Sequence, residues 1–162
     1  MTDLAERLDG IRVRVQAPGA DIEAKLRRRT GITLSFGESV YEFIGESALE
    51  RVLAALARLL WAGWQRQYRA AIEETDLHID ADDLRDSNFF ADRAKVEAVG
   101  TSSDERITIT AVGMENFSVR IAPGTVREIP EDRFAANAAE AATKVIQDFQ
   151  AQVDELKKRY YA

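Results

Sequence analysis

Ala20-Asp21-Ile22-Glu23-Ala24 and Ala94-Lys95-Val96-Glu97-Ala98 decide the fold, because the second restates the first. Each is followed by a polar turn and a short apolar strand, Gly31-Ile32-Thr33-Leu34 in one case and Arg106-Ile107-Thr108-Ile109 in the other. Each then meets a glycine, Gly37 or Gly113, and a further alternating segment carrying Tyr41 and Phe43, or Phe117 and Val119. Each ends in a long amphipathic helical pattern. A fixed order of three strands and a helix, met twice, predicts a duplicated module. The competing explanation is that strands and turns draw on few residue types, so unrelated meanders come to look alike.

Outward from these strands the first copy reads as follows. Residues 2–9 form a short helical arm, capped by Thr2, with Leu4 and Leu8 on one face. Ile11, Val13 and Val15 alternate with Arg12 and Arg14, the pattern of a half-buried strand. Pro18-Gly19 breaks the chain. Ile22–Leu26, Ile32–Phe36 and Val40–Ile44 are the three strands, with Arg27-Arg28-Arg29-Thr30-Gly31 and Gly37-Glu38-Ser39 as turns. The first long helix starts at Ser47, where Ser47 and Glu50 have the spacing of a capping box, and runs to about Glu74. Leu49, Val52, Leu53, Leu56, Leu59, Leu60, Trp64, Tyr68, Ala71 and Ile72 lie on its apolar stripe.

Seven carboxylates stand against one arginine between Glu73 and Asp86, which makes this segment the joint. The division falls at residues 1–78 and 79–162, as two copies or as one fused domain. Residues 82–93 add a short helix. The second meander runs from Lys95 to Ile129, and its helix starts near Pro130, with Glu131 and Asp132 complementing the helix dipole. The fold class is α+β: two copies of a three-stranded antiparallel meander plus a long helix, related by a pseudo-twofold axis.

Composition narrows the chemistry. The chain has 162 residues, no cysteine and one histidine, and a net charge of −6. Disulfides, thiol catalysis and cysteine-bound metals are excluded together. His78 alone would leave zinc an all-carboxylate shell, which suits it poorly. Asp76, Asp80, Asp82 and Asp83 lack the spacing and the glycine of a calcium loop. There is no G-x-S-x-G, P-loop or G-x-G-x-x-G, and Ser102-Ser103-Asp104 reads as a hairpin turn rather than a nucleophile. The reading is therefore non-enzymatic, without cofactor or metal. The longest apolar run, Ala54–Trp64, is broken by Arg58 and too short to span a membrane. With no secretory leader pattern, the expected location is cytoplasmic.

Two constellations remain for binding. Lys25, Arg27, Arg28 and Arg29 form the densest basic run, on a strand end and turn, with Arg12 and Arg14 on the neighbouring strand. Arginine forks on an exposed turn reach phosphates, so these six are the candidate DNA contacts; a solubilising loop is the alternative. Trp61, Trp64 and Tyr68 share a helix face, the mark of core packing or of a protein-binding face. Trp61-Ala62-Gly63 matches the W-x-G tripeptide of small secreted helical proteins. It sits inside an uninterrupted helical pattern here, so it carries no argument.

The second copy resembles the YbaB/EbfC family of nucleoid-associated proteins. The likeness rests on Val96-Glu97-Ala98, the hairpin at 100–105, Ile107-Thr108-Ile109, Gly113, the run Phe117-Ser118-Val119-Arg120-Ile121-Ala122-Pro123 and the alanine-rich helix. The first copy resembles it more loosely over residues 20–72. The resemblance implies a small α+β fold paired as a dimer, DNA binding without strong sequence preference, and neither cofactor nor catalysis. Relatives also occur among accessory proteins of type VII secretion systems, which implies a protein partner as the alternative. The chain departs from the pattern in lacking the long N-terminal helix and the flexible tails, and in fusing two copies. One chain then imitates the dimer, as a pseudo-dimeric monomer or as a homodimer.

Overall fold

In the computed structural model, which describes residues 4–73 and 84–161, helix α1 (Leu4–Asp9) leads into β1 (Arg12–Gln16), β2 (Ile22–Arg27) and β3 (Gly31–Phe36). A single helical turn, α2 (Val40–Phe43), precedes the long α3 (Glu46–Glu73). Then α4 (Leu84–Arg93) leads into β4 (Glu97–Thr101), β5 (Ile107–Val112) and β6 (Asn116–Ile121), a second short turn α5 (Thr125–Glu128), and α6 (Glu131–Tyr161). The strands make two antiparallel meanders, β1-β2-β3 and β4-β5-β6. The expected α+β class and duplicated meander-plus-helix are present. Thr2 and the middle of the acidic joint, with His78 and the aspartates Asp76, Asp80, Asp82 and Asp83, lie outside the described residues.

The copies correspond without a gap. Arg12 matches Glu97, Ile22 matches Ile107, Gly31 matches Asn116, Val40 matches Thr125 and Glu46 matches Glu131, a constant step of 85 residues. This corrects the alignment of Ala20–Ala24 with Ala94–Ala98: the first strand of the first meander is β1, and the expected strand Val40–Ile44 is helix α2. Tyr41 and Phe43 alternate in sequence, yet the turn of α2 buries Tyr41 at 5% exposure and leaves Phe43 at 82%. Ser39, in the left-handed region at φ 65°, turns the chain out of β3, as Gly124 does at φ 87° in the second copy.

The packing is reciprocal, as a pseudo-twofold demands. Helix α3 packs on its own β1 and on β6 of the other copy, and α6 packs on its own β4 and on β3. One hydrophobic cluster therefore runs through both copies. Close approach uses glycine at different places. Gly63 on α3 admits Val13 of β1, whereas Gly100 on β4 admits the backbone of α6. The Gln67 amide donates to the Arg12 carbonyl at 2.8 Å, and the Gln152 amide donates to the Glu97 carbonyl at 2.8 Å. Both glutamines satisfy an edge-strand carbonyl that lacks a neighbouring strand.

Acidic side chains at the start of α3 stitch the copies together. The expected capping box at Ser47 does not form, since Glu50 accepts the Ile121 N–H at 2.7 Å instead. Glu46 accepts from the N–H groups of Gly124 and Val126 at 3.1 and 3.0 Å, supplying carboxylate to the N-terminus of α5. The Tyr41 hydroxyl donates to the Ile129 carbonyl at 2.7 Å. Burial pushes that phenol's pKa up.

Candidate nucleic-acid interface

Alternation along β1 and β2 turns Val13, Ile22, Ala24 and Leu26 inward and leaves the intervening residues outside. The outer positions are Arg12 and Arg14 on β1, Glu23, Lys25 and Arg27 on β2, and Thr33 and Ser35 on β3. Register then sets cations opposite each other: Arg12 faces Arg27, and Arg14 faces Lys25. Like charges directly opposite on one face are unfavourable for the sheet itself. A two-by-two block of cations is therefore a feature that folding alone does not ask for.

One carboxylate answers the block. Glu23 lies 2.8 Å from the Arg14 guanidinium and 3.7 Å from the Lys25 ammonium. The Arg14 hydrogen bond holds its pKa below the ordinary carboxylate value. Arg12 and Arg27 are exposed and have no ion-pair partner among the described residues. The turn extends the block: Arg28 is exposed, and Arg29 sits 3.6 Å from Asp9 with its Nε buried and making no hydrogen bond among the described residues. Arg28 and Arg29 both occupy the left-handed region, at φ 51° and 72°. The equivalent residues Gly113 and Met114 take the same conformation, at φ 62° and 56°, so it belongs to the tight hairpin turn of both meanders.

All six expected DNA contacts thus fall on one sheet face and its turn, with Arg29 partly turned back toward α1. The corresponding residues of the second copy are Glu97, Val99, Thr110, Val112, Gly113 and Met114, and none is basic. The second outer face keeps one cation, Arg120 on β6 opposite Thr108, and the cross-strand block of cations is found in the first copy. The residue that sequence reasoning passed over is Glu23, and the signal was available: it lies two positions from Lys25 on a strand, hence on the same face.

The aromatic candidates are elsewhere. Trp61 is 4% exposed and Trp64 is 9% exposed. Their rings stack at 4.9 Å, Trp64 stacks on Tyr68 at 5.0 Å, and Phe149 meets Trp61 edge-on at 6.0 Å. Trp61, Trp64 and Tyr68 therefore form an interior stack rather than a protein-binding face, with Tyr68 half-buried at its end. Among the described residues both indole N–H groups lack a partner. The Arg93 guanidinium lies 5.4 Å from the Phe149 ring centre, and burial lowers its pKa.

Ser102, Ser103 and Asp104 form the β4–β5 turn. Ser102 donates to Asp104 at 2.6 Å and accepts the Ile107 N–H at 3.1 Å. Ser103 donates its N–H to Glu140 of α6 at 2.8 Å, and its hydroxyl bonds the other oxygen of that carboxylate. These bonds tie the turn down and occupy the hydroxyls. No helix among the described residues is long and apolar enough to cross a membrane. Comparison with protein-family models, curated proteins and solved structures returns no match.

Proposed function

We propose that the chain is a non-enzymatic DNA-associated protein of YbaB/EbfC type that engages backbone phosphates through the outer face of its first sheet. The observation that carries this reading is the cross-strand block, Arg12 opposite Arg27 and Arg14 opposite Lys25, extended by Arg28. Guanidinium groups on alternate strand residues present rigid forks about 6.7 Å apart along one face. Such contacts position a nucleic acid without reading its bases. The net charge of −6 opposes long-range steering, and a local patch works against that background only at short range.

The test is a salt titration of duplex binding by the whole chain, with Arg12, Arg27 and Arg28 changed together to glutamine. Binding should weaken alike for all sequences. The log–log salt slope should flatten by about 0.9 for each phosphate that the variant no longer neutralises. The melting temperature should hold or rise, since two opposed like charges are removed. Absence of duplex binding by the unmodified chain at low salt ends this reading.

The alternative is a protein-binding accessory factor, of the kind that serves type VII secretion. Its support is Phe43, 82% exposed on α2, and not the aromatic stack of α3. Capture of a partner protein that fails with Phe43→Ser, together with no duplex binding, would install it.

A further inference from the structure

We infer that Glu23 is an internal occupant of the phosphate site: it holds Arg14 and Lys25 in the unbound chain, gives way to a nucleic-acid backbone, and so sets the affinity of the face. This rests on the reading of that face as a DNA contact. Glu23 sits on the central strand of the first sheet, flanked across the register by Gln16 and Ser35, which carry no charge. Its oxygens reach a guanidinium at 2.8 Å and an ammonium at 3.7 Å. Its side chain is 19% exposed, against 72% for Arg14 and 41% for Lys25, so the carboxylate lies beneath the cations that a ligand meets first.

The chemistry of exchange is simple. Carboxylate and phosphate oxygens accept the same hydrogen bonds from a guanidinium fork. A polyanion also releases its condensed counterions when cations bind it, which a single free phosphate does not match. Arg12 and Arg27, free of carboxylate partners among the described residues, are available to make the first contacts. Arg14 and Lys25 join as Glu23 lets go. The second copy supplies an independent observation: its equivalent of Glu23 is Thr108, and the outer positions beside it carry Val99 and Thr110 in place of Arg14 and Lys25. The carboxylate stands in the copy whose first two strands carry the block of cations; the second copy has a lone outer cation beside this position, Arg120 opposite Thr108, and no carboxylate there.

The experiment measures anisotropy of a fluorescein-labelled duplex with the full chain across a salt series. Glu23→Gln should bind about three- to tenfold tighter at low salt, with a slope steeper by about 0.9 to 1.8 as one or two further phosphates are neutralised. Glu23→Thr, which installs the residue of the second copy, should do the same and covers the case of a poorly folded glutamine variant. In an Arg14→Gln/Lys25→Gln background the gain should fall to that of Glu42→Gln, an exposed carboxylate on α2. Equal or weaker binding by both Glu23 variants with unchanged melts overturns the inference and leaves the DNA reading standing. So does a gain that persists undiminished without Arg14 and Lys25. No binding by wild type or any variant overturns both.

Discussion

Gln67 reaches the Arg12 carbonyl and Gln152 reaches the Glu97 carbonyl over the same 2.8 Å, yet the two residues so held carry opposite charge. The contrast holds across the molecule. Inward positions repeat in kind: Ile22 and Ile107 are both fully buried, as are Leu49 and Phe134. Outward positions do not, since Arg14 and Lys25 give way to Val99 and Thr110. Packing fixes the interior of both copies because each helix must cover a strand of the other. The outer faces answer to no such demand, so any difference between them is open to function. A symmetric dimer of a single copy would carry the basic block twice; fusion allows one face to carry it and the other to lose it.

The largest expected effects test the repeated interior. Trp64 and Phe149 occupy equivalent positions, at 9% and 3% exposure. Truncating either to alanine should cost about 3–5 kcal/mol, read by denaturant melts. Trp64→Phe, which gives the first copy the second copy's residue, should cost less than about 2 kcal/mol, because the indole N–H it removes has no partner among the described residues. A mild Trp64→Ala beside a severe Phe149→Ala would break the equivalence of the two helices.

The next test separates two glycines that solve the same problem differently. A Cβ on Gly100 would lie 2.1 Å from the Ala141 carbonyl oxygen and 2.4 Å from the Val145 nitrogen, which are helix backbone. A Cβ on Gly63 would meet Val13 Cγ1 at 2.7 Å, the tip of a side chain. Gly100→Ala should therefore destabilise by about 3 kcal/mol, at the upper end of overpacking costs, and Gly63→Ala by about 1 kcal/mol. Equal costs would show that β4 moves away from α6 as easily as Val13 turns aside.

Much of this was legible in the sequence. Period-two alternation found the strands of both meanders, with Val40–Ile44 as one too many, and the 3.6-residue stripe placed both long helices, because each element is amphipathic in its own right. The register between copies was missed for a physical reason. The short identities at 20–24 and 94–98 come from β-sheet and turn chemistry common to any strand start. The true correspondence is carried by burial, Ile11 with Val96 and Ala24 with Ile109, where the inward apolar position is kept and the residue is not. Tyr41 and Phe43 suggested a strand because a single helical turn is too short to show a period. The six basic residues were legible as a cluster. Their cross-strand opposition was not, since register depends on turn geometry that composition does not reveal. The burial of Trp61 and Trp64 depends on α6 of the other copy, whose Phe149 meets Trp61 only in the folded chain.

The smallest expected effect concerns the turns. The β1–β2 turn closes through Gln16 and Asp21 at 3.2 Å, a bond within its own hairpin. The β4–β5 turn is fastened to α6 by Glu140, whose equivalent in the first copy is Ala55. The Ser103 hydroxyl, the Ser103 N–H and Lys144 bring the Glu140 pKa down from 4.5 to about 2. A depressed carboxylate pKa means that the folded chain favours the ionised form, so the contact contributes stability above the ordinary value and loses it as pH falls through the folded one. The stability gap between wild type and Glu140→Gln should be constant above pH 4.5 and should shrink toward zero near pH 2. Screening at the surface keeps the gap small. Thermal melts of the two proteins across this acid range measure it directly, and amide exchange at Ser103 should show the same acid dependence. A gap that does not change with pH would mean that Glu140 acts through packing alone, and that the second turn is held no differently from the first.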